Sequence, residues 1–348
     1  MTTIMVGTEK GAYALRATAD DWEVAGPLQP GWRVTAFGRA PDGRTLLAVG
    51  SNWFGTSVHA SDDLEEWEQV GSPSWDHLGD DHDRKLEQVW TFHTVGDTVY
   101  AGVAHAGLFR STDLMTWEPV DGLNEHATRE DWQPGLGGLC AHRVLDDGAD
   151  RLWVAISSVG VMRSDDGGAT FEHADDGVVA AVDPSEGAAS TGWCVHGITH
   201  DPDDPDRMWR QDHKGVYRST DGGDTWERID ATLPNEGGFG FPIVRDHASG
   251  RLFVVPLEAD ANRVPVEGRF AVWSSDDEGD TWQVAGTGWP EAPTFTGVLR
   301  GAMATDQRGN VAIGTTSGDV WVSRDTGDSW QRLPSTFPRI NAVEVLDA

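Results

Sequence analysis

One motif recurs along this chain at a spacing that small, self-similar β-units satisfy and long helices do not. The pattern Ser-x-Asp-x-Gly-x-Thr/Ser-aromatic is complete in four segments. They are Ser164-Asp166-Gly168-Thr170-Phe171, Ser219-Asp221-Gly223-Thr225-Trp226, Ser275-Asp277-Gly279-Thr281-Trp282 and Ser323-Asp325-Gly327-Ser329-Trp330. Two copies are one residue shorter and lack the glycine, Ser61-Asp63-Trp67 and Ser111-Asp113-Trp117, and a remnant ends at Asp20-Asp21-Trp22. The aromatic positions 22, 67, 117, 171, 226, 282 and 330 lie 45 to 56 residues apart, which makes seven units.

Each unit reads as four short strands separated by Asp-Pro and Asp-Gly turns. In the fifth unit these are Cys194–Thr199, Arg207–Arg210, Gly215–Ser219 and Thr225–Ile229. The motif falls between the third and fourth strands. Its Ser and Asp are suited to bonding nearby N–H groups, its Gly to a left-handed turn, and its aromatic to packing between sheets. We read it as a folding device. The four complete copies resemble the Asp-box (BNR) repeat of sialidase-like β-propellers. That resemblance implies an all-β fold, a seven-bladed β-propeller of four-stranded antiparallel blades in one domain spanning 1–348. The N-terminus begins at a second strand, Ile4–Gly7, so the C-terminal Arg339–Leu346 is expected to close the ring as its innermost partner.

Charge narrows the partners. With 57 acidic and 26 basic residues the net charge is −31, so nucleic acid and anionic membrane are not expected partners. Lys10, Lys85 and Lys214 are the only lysines, and the acidic residues are dispersed rather than gathered in a tail. That composition suits a protein screened by high salt. No basic, then apolar, leader is visible, no apolar run reaches bilayer length, and two cysteines make no disulfide framework. The expectation is a cytoplasmic protein.

In a ring of blades, the starts of first strands and the ends of second strands share one face, opposite the motif turns. Collecting those residues predicts a funnel. Gln88, Trp90 and His105 come from the third unit, Cys140 and His142 from the fourth, and Cys194, His196, Gln211 and His213 from the fifth. Glu258 comes from the sixth, ahead of a loop carrying Asn262 and Arg263; Arg33, Arg300, and Arg339 with Asn341 come from the opposite wall. His142, His196 and His213, with His105 and Glu258, are candidate ligands for one divalent metal. Arg33, Arg300 and Arg339, with Gln88, Trp90 and Gln211, are candidate contacts to a small anionic or carbohydrate-like substrate. The connection 123–135 adds Glu125, His126, Arg129 and Asp131, of which His126 and Glu125 are the candidate proton-transfer groups. The plainer readings are hydrogen-bonded structural histidines, cysteines as small apolar residues, and arginines paired with carboxylates; a register slip of one residue would turn any of these side chains away.

Beyond the repeat, the runs GLNEHATR (122–129), WQPG (132–135), GGLCAH (137–142), CVHGITHDP (194–202), HKGVYRSTDGG (213–223), FGFP (239–242), VVPLE (254–258) and NRVPVEGR (262–269) resemble a bacterial and archaeal group. Its members are known only as BNR-repeat or glycosyl-hydrolase-like proteins. The resemblance implies a shared funnel and no particular reaction. A sialidase needs a tyrosine nucleophile, and Tyr13, Tyr100 and Tyr217 fall on second or third strands, where side chains pack between blades. Two functions therefore stand: a hydrolase or lyase acting in the funnel, metal-assisted, or a non-catalytic propeller presenting a surface such as Trp53-Phe54 with Trp75.

Overall fold

Short β-branched and aromatic runs, each broken by a Gly- or Pro-containing turn, make hairpins rather than long strands. The computed structural model describes residues 2–18, 21–51, 53–79, 82–181, 192–259 and 261–346. Asp20 of the repeat remnant lies outside them. The hairpins assemble into seven four-stranded antiparallel sheets arranged as a seven-bladed propeller. Blade 2 comprises Arg33–Arg39, Thr45–Ser51, Gly55–Ser61 and Glu68–Val70. Blade 3 begins with Gln88–Val95, blade 4 with Ala141–Asp146, blade 5 with Val195–Asp201, blade 6 with Gly240–Arg245 and blade 7 with Met303–Thr305. Blade 1 is built from both ends of the chain. Ile340–Leu346 pairs antiparallel with Thr3–Thr8, in a register running from Thr3↔Leu346 to Thr8↔Ile340, and so supplies the expected innermost strand.

The motif works as read. Ser219 Oγ donates to Asp221 Oδ1 at 2.7 Å and accepts from Gly223 N at 2.9 Å, while Asp221 accepts from the Thr225 amide and hydroxyl at 2.9 and 2.6 Å. The same set recurs at Ser164, Ser275 and Ser323. In the two short copies leucine takes the left-handed turn, with φ of 66° at Leu64 and 61° at Leu114. The aromatics then join blades: Trp226 Nε1 donates to Ala174 O at 2.9 Å and Trp282 Nε1 to Ile229 O at 2.8 Å, each in the preceding blade. Fully buried side chains such as Ile4, Leu46, Val103, Trp153 and Trp209 fill the gaps between sheets. Each contributes roughly 2 kcal/mol of apolar burial. Four outer strands are shorter than expected: Glu118–Pro119, Glu172–His173, Glu227–Arg228 and Gln283–Val284 have two residues each. Short, charged edges deny a neighbouring chain a strand to pair with. Among the described residues no helix is long and apolar enough to cross a membrane.

Candidate functional site at the axial funnel

Six innermost strands carry a bulge close to their start. The ladder skips Asn341 in blade 1, Thr35 in blade 2, Trp90 in blade 3, His142 in blade 4, His196 in blade 5 and the pair Phe241-Pro242 in blade 6. A bulge frees one residue from the pairing alternation and re-aims its side chain. Here Thr35, Trp90, His142, His196 and Phe241 all line hollows along the axis.

The upper hollow, about 290 Å³, gathers Arg33, Arg263, Arg300 and Arg339 with Gln88, Trp90 and Asn341. These residues come from blades 1, 2, 3 and 7 and from the loop after the second strand of blade 6. Among the described residues no carboxylate lies within ion-pair distance of Arg33, Arg300 or Arg339, although Glu9 lines the same hollow. Elsewhere most arginines are paired, as Arg151 is with Asp165 and Asp206 at 2.7 Å each. Arg300 Nε is buried without a hydrogen-bond partner among the described residues. Phe241 supports two of the guanidiniums, with its ring centroid 5.1 Å from Arg300 Cζ and 5.3 Å from Arg263 Cζ. In a chain of net charge −31, three guanidiniums with no ion-pair partner among the described residues concentrate positive charge at the axis.

A second hollow of about 340 Å³ shares Gly137, Phe241, Arg263 and Arg300 with the first. Its wall holds Cys194, His196 and His213, whose ligand-capable atoms all lie within 4.8 Å of one another. Cys194 Sγ is 3.6 Å from His196 Nε2, and the His196 and His213 rings are 5.5 Å apart. His196 donates from Nδ1 to Gly240 O at 2.7 Å, which leaves Nε2 as the lone-pair nitrogen facing the sulfur. Burial, then the charge of Arg300, holds His196 well below the ordinary imidazole range, so its ring is neutral near pH 7. Burial also pushes the Cys194 thiol up, against the opposing pull of Arg300.

The remaining expected site residues lie elsewhere. His142 is buried beside this group but gives Nε2–H to Val195 O at 3.0 Å, outside the three-residue cluster. His105 is half-exposed, 3.6 Å from Glu87, and Glu258 accepts from Asn262 at 2.9 Å; neither joins the cluster. Gln211 is buried and spends its amide on the carbonyls of Asp212, Gly215 and Gly238, a structural use that keeps it from the arginine hollow. Glu125 pairs with Arg84 at 2.6 Å. His126 donates to Phe171 O at 3.1 Å, bonds Thr128 through Nδ1 at 2.9 Å and stacks on Trp132. That pair staples the connection to blades 3 and 4. The funnel is reached a few residues later, by Gln133, Pro134, Leu136 and Gly137. Tyr13 packs on Phe337, Tyr100 is buried and Tyr217 donates to Lys214 O at 2.6 Å, so all three are committed to packing. Trp75 is also buried, against Phe109, and leaves Trp53 and Phe54 as the exposed pair.

Phe241, the shared floor, was not among the expected funnel residues, because it falls in a bulge where strand alternation does not give its facing. Cys194 was expected in the funnel, but as a small apolar residue rather than a member of the cluster.

Fold and site together define a seven-bladed propeller with an arginine-lined axial funnel. No family model matches the chain, and no curated protein matches it. Solved structures do. A functionally unknown protein from Desulfotomaculum acetoxidans superposes with a TM-score of 0.57 at 12% identity, over 99% of this chain and 98% of that one. YCF48 from Cyanidioschyzon merolae gives 0.53 at 13%, over 87% and 85%, and a structure of YCF48 bound to D1 peptide gives 0.53 at 14%, over 88% and 85%. At these identities the likeness is one of fold.

Proposed function

We propose that the protein is a hydrolase or lyase acting on a small anionic, sugar-derived molecule held in the axial funnel. The observation that carries this reading is the meeting of Arg33, Arg300 and Arg339 from three blades with no carboxylate in ion-pair reach among the described residues. Carboxylate, sulfate or phosphate groups match guanidinium forks bidentately. Trp90 offers a flat apolar face for a sugar ring, and the Cys194–His196–His213 group beside the clamp supplies the reactive side chains. A titration of tag-free protein with glucuronate, glucose 6-phosphate and neutral glucose tests the clamp. The anions should bind and glucose should not, and Arg300→Met should weaken anion binding at least about tenfold, equivalent to about 1.4 kcal/mol. Equal binding of glucose, or an indifferent Arg300→Met variant, would sink the reading. Incubation of the protein with anionic glycosides, followed by proton NMR for cleaved or unsaturated products, then separates catalysis from binding.

A second reading, a propeller that presents its surface to a protein, is favoured by Trp53 and Phe54, which are 90% and 81% exposed. The same fold in YCF48 accommodates a peptide. Replacing both aromatics with Ser would then abolish capture of a partner and leave anion binding untouched.

A further inference from the structure

We propose that Cys194, His196 and His213 form a zinc-class metal site with three protein ligands and a fourth position open to the funnel.

The geometry comes from a single blade. Cys194 and His196 are two residues apart at the head of the innermost strand, and His213 sits in the turn between the second and third strands of the same sheet. The His213 amide donates to Cys194 O at 3.0 Å, which ties the two ends of the ligand set through the backbone. Asp212 Oδ1 also accepts from that amide, at 2.8 Å. His196 is oriented from behind by Gly240 O, the second-shell arrangement that presents Nε2 to a metal in the correct tautomer. The ladder skips His196, whose imidazole sits beside the sulfur, 3.6 Å from Nε2 to Cys194 Sγ.

Donor chemistry selects the ion. One thiolate and two imidazoles favour a borderline-soft cation such as Zn²⁺ or Co²⁺ over Mg²⁺ or Ca²⁺, which take oxygen ligands. Three protein ligands with an open fourth place is the pattern of zinc sites that do chemistry, and a fourth protein ligand is the pattern of structural ones. Here the three line a hollow that continues to Arg263 and Arg300. On binding, the Cys194 S–H bond breaks, sulfur keeps the electron pair as ligand, and the proton leaves to solvent. The use of the site rests on the anion-binding reading above: a metal here would polarise an oxygen of the molecule that Arg300 holds with Arg33 and Arg339. The binding of the metal does not rest on it.

The other close group of potential ligands, Asp201, Asp203 and His247, is a different case, because Arg207 and Arg245 already neutralise Asp201.

The test is a titration of chelator-treated, tag-free protein with Co²⁺ and Zn²⁺. The expected result is one ion per chain, release of about one proton, and a near-ultraviolet thiolate-to-cobalt charge-transfer band with intense tetrahedral visible bands. Cys194→Ser should remove the charge-transfer band. His196→Ala and His213→Ala should each weaken binding at least about tenfold. Circular dichroism of each variant keeps loss of metal distinct from loss of fold. Substoichiometric binding to folded wild-type protein overturns the proposal, as does a charge-transfer band that survives Cys194→Ser. Metal binding with all these signatures in a protein that binds no anion supports the site and removes only its use in the funnel. Anion binding without metal does the reverse.

Discussion

The carboxyl groups of the repeat motif are held by donors along the chain. The Thr170 amide and hydroxyl take Asp166 from its usual 3.8 down to about 2. A carboxyl depressed by folding stabilises the native state above its unfolded value and loses that contribution as pH falls through the folded one. Stability should therefore fall between about pH 4 and pH 2 as this and the other motif carboxyls protonate, and Asp166→Asn should flatten its share of that slope in urea titrations. Asp221→Ala removes the acceptor for the Thr225 amide and hydroxyl, and should cost about 1 to 3 kcal/mol in chemical denaturation. These bonds were legible because every partner lies within four residues. The partners of His126 and Glu125 were not legible for the opposite reason: Phe171 O and Arg84, the groups that bond them, are 45 and 41 positions distant. Arg33, Arg300 and Arg339 converge as expected because ring topology alone delivers first-strand starts to the axis. What the linear chain did not reveal is that, among the described residues, no carboxylate comes within ion-pair reach of them.

The innermost strands do two things at once. Their later residues alternate and pack between blades, and their early residues break the alternation at Asn341, Thr35, Trp90, His142, His196 and Phe241. Period-two patterning identifies the first part and conceals the second, which is why four-stranded blades could be counted from the motif while the facing of individual side chains could not. Removing the closing strand is the sharpest test of the architecture. Truncation after Arg339 exposes the edge of Thr3–Thr8 and uncovers Ile4, Val6 and Trp321 in the cluster they share with Ile340 and Val343. The expected outcome is loss of the cooperative thermal transition, read by near-ultraviolet dichroism. A truncated chain that melts as the intact one does would mean that six blades hold without the seventh being completed. Gly279→Ala offers a local comparison. A Cβ there would come within 2.2 Å of Ile229 Cδ1 at φ +98°, so a cost of about 1 to 3 kcal/mol is expected at this inter-blade seam.

Over the whole molecule, 57 acidic residues face 26 basic ones, and many of the arginines form short pairs between blades, such as Arg163 with Asp224 and Arg251 with Asp328. The excess negative charge repels itself in dilute buffer and is screened when salt is high. The melting temperature should accordingly rise from about 0.1 M to about 3 M KCl, and a flat or falling curve in a thermal scan would refute it. The same screening weakens the pull of the funnel on anions, so ligand affinity should fall over that range while stability climbs. The meeting of Thr3–Thr8 with Ile340–Leu346 also has a consequence for biogenesis. The first blade cannot be completed before Ile340–Leu346 has been synthesised, so until then Thr3–Thr8 is left with one unsatisfied edge where the ring should join.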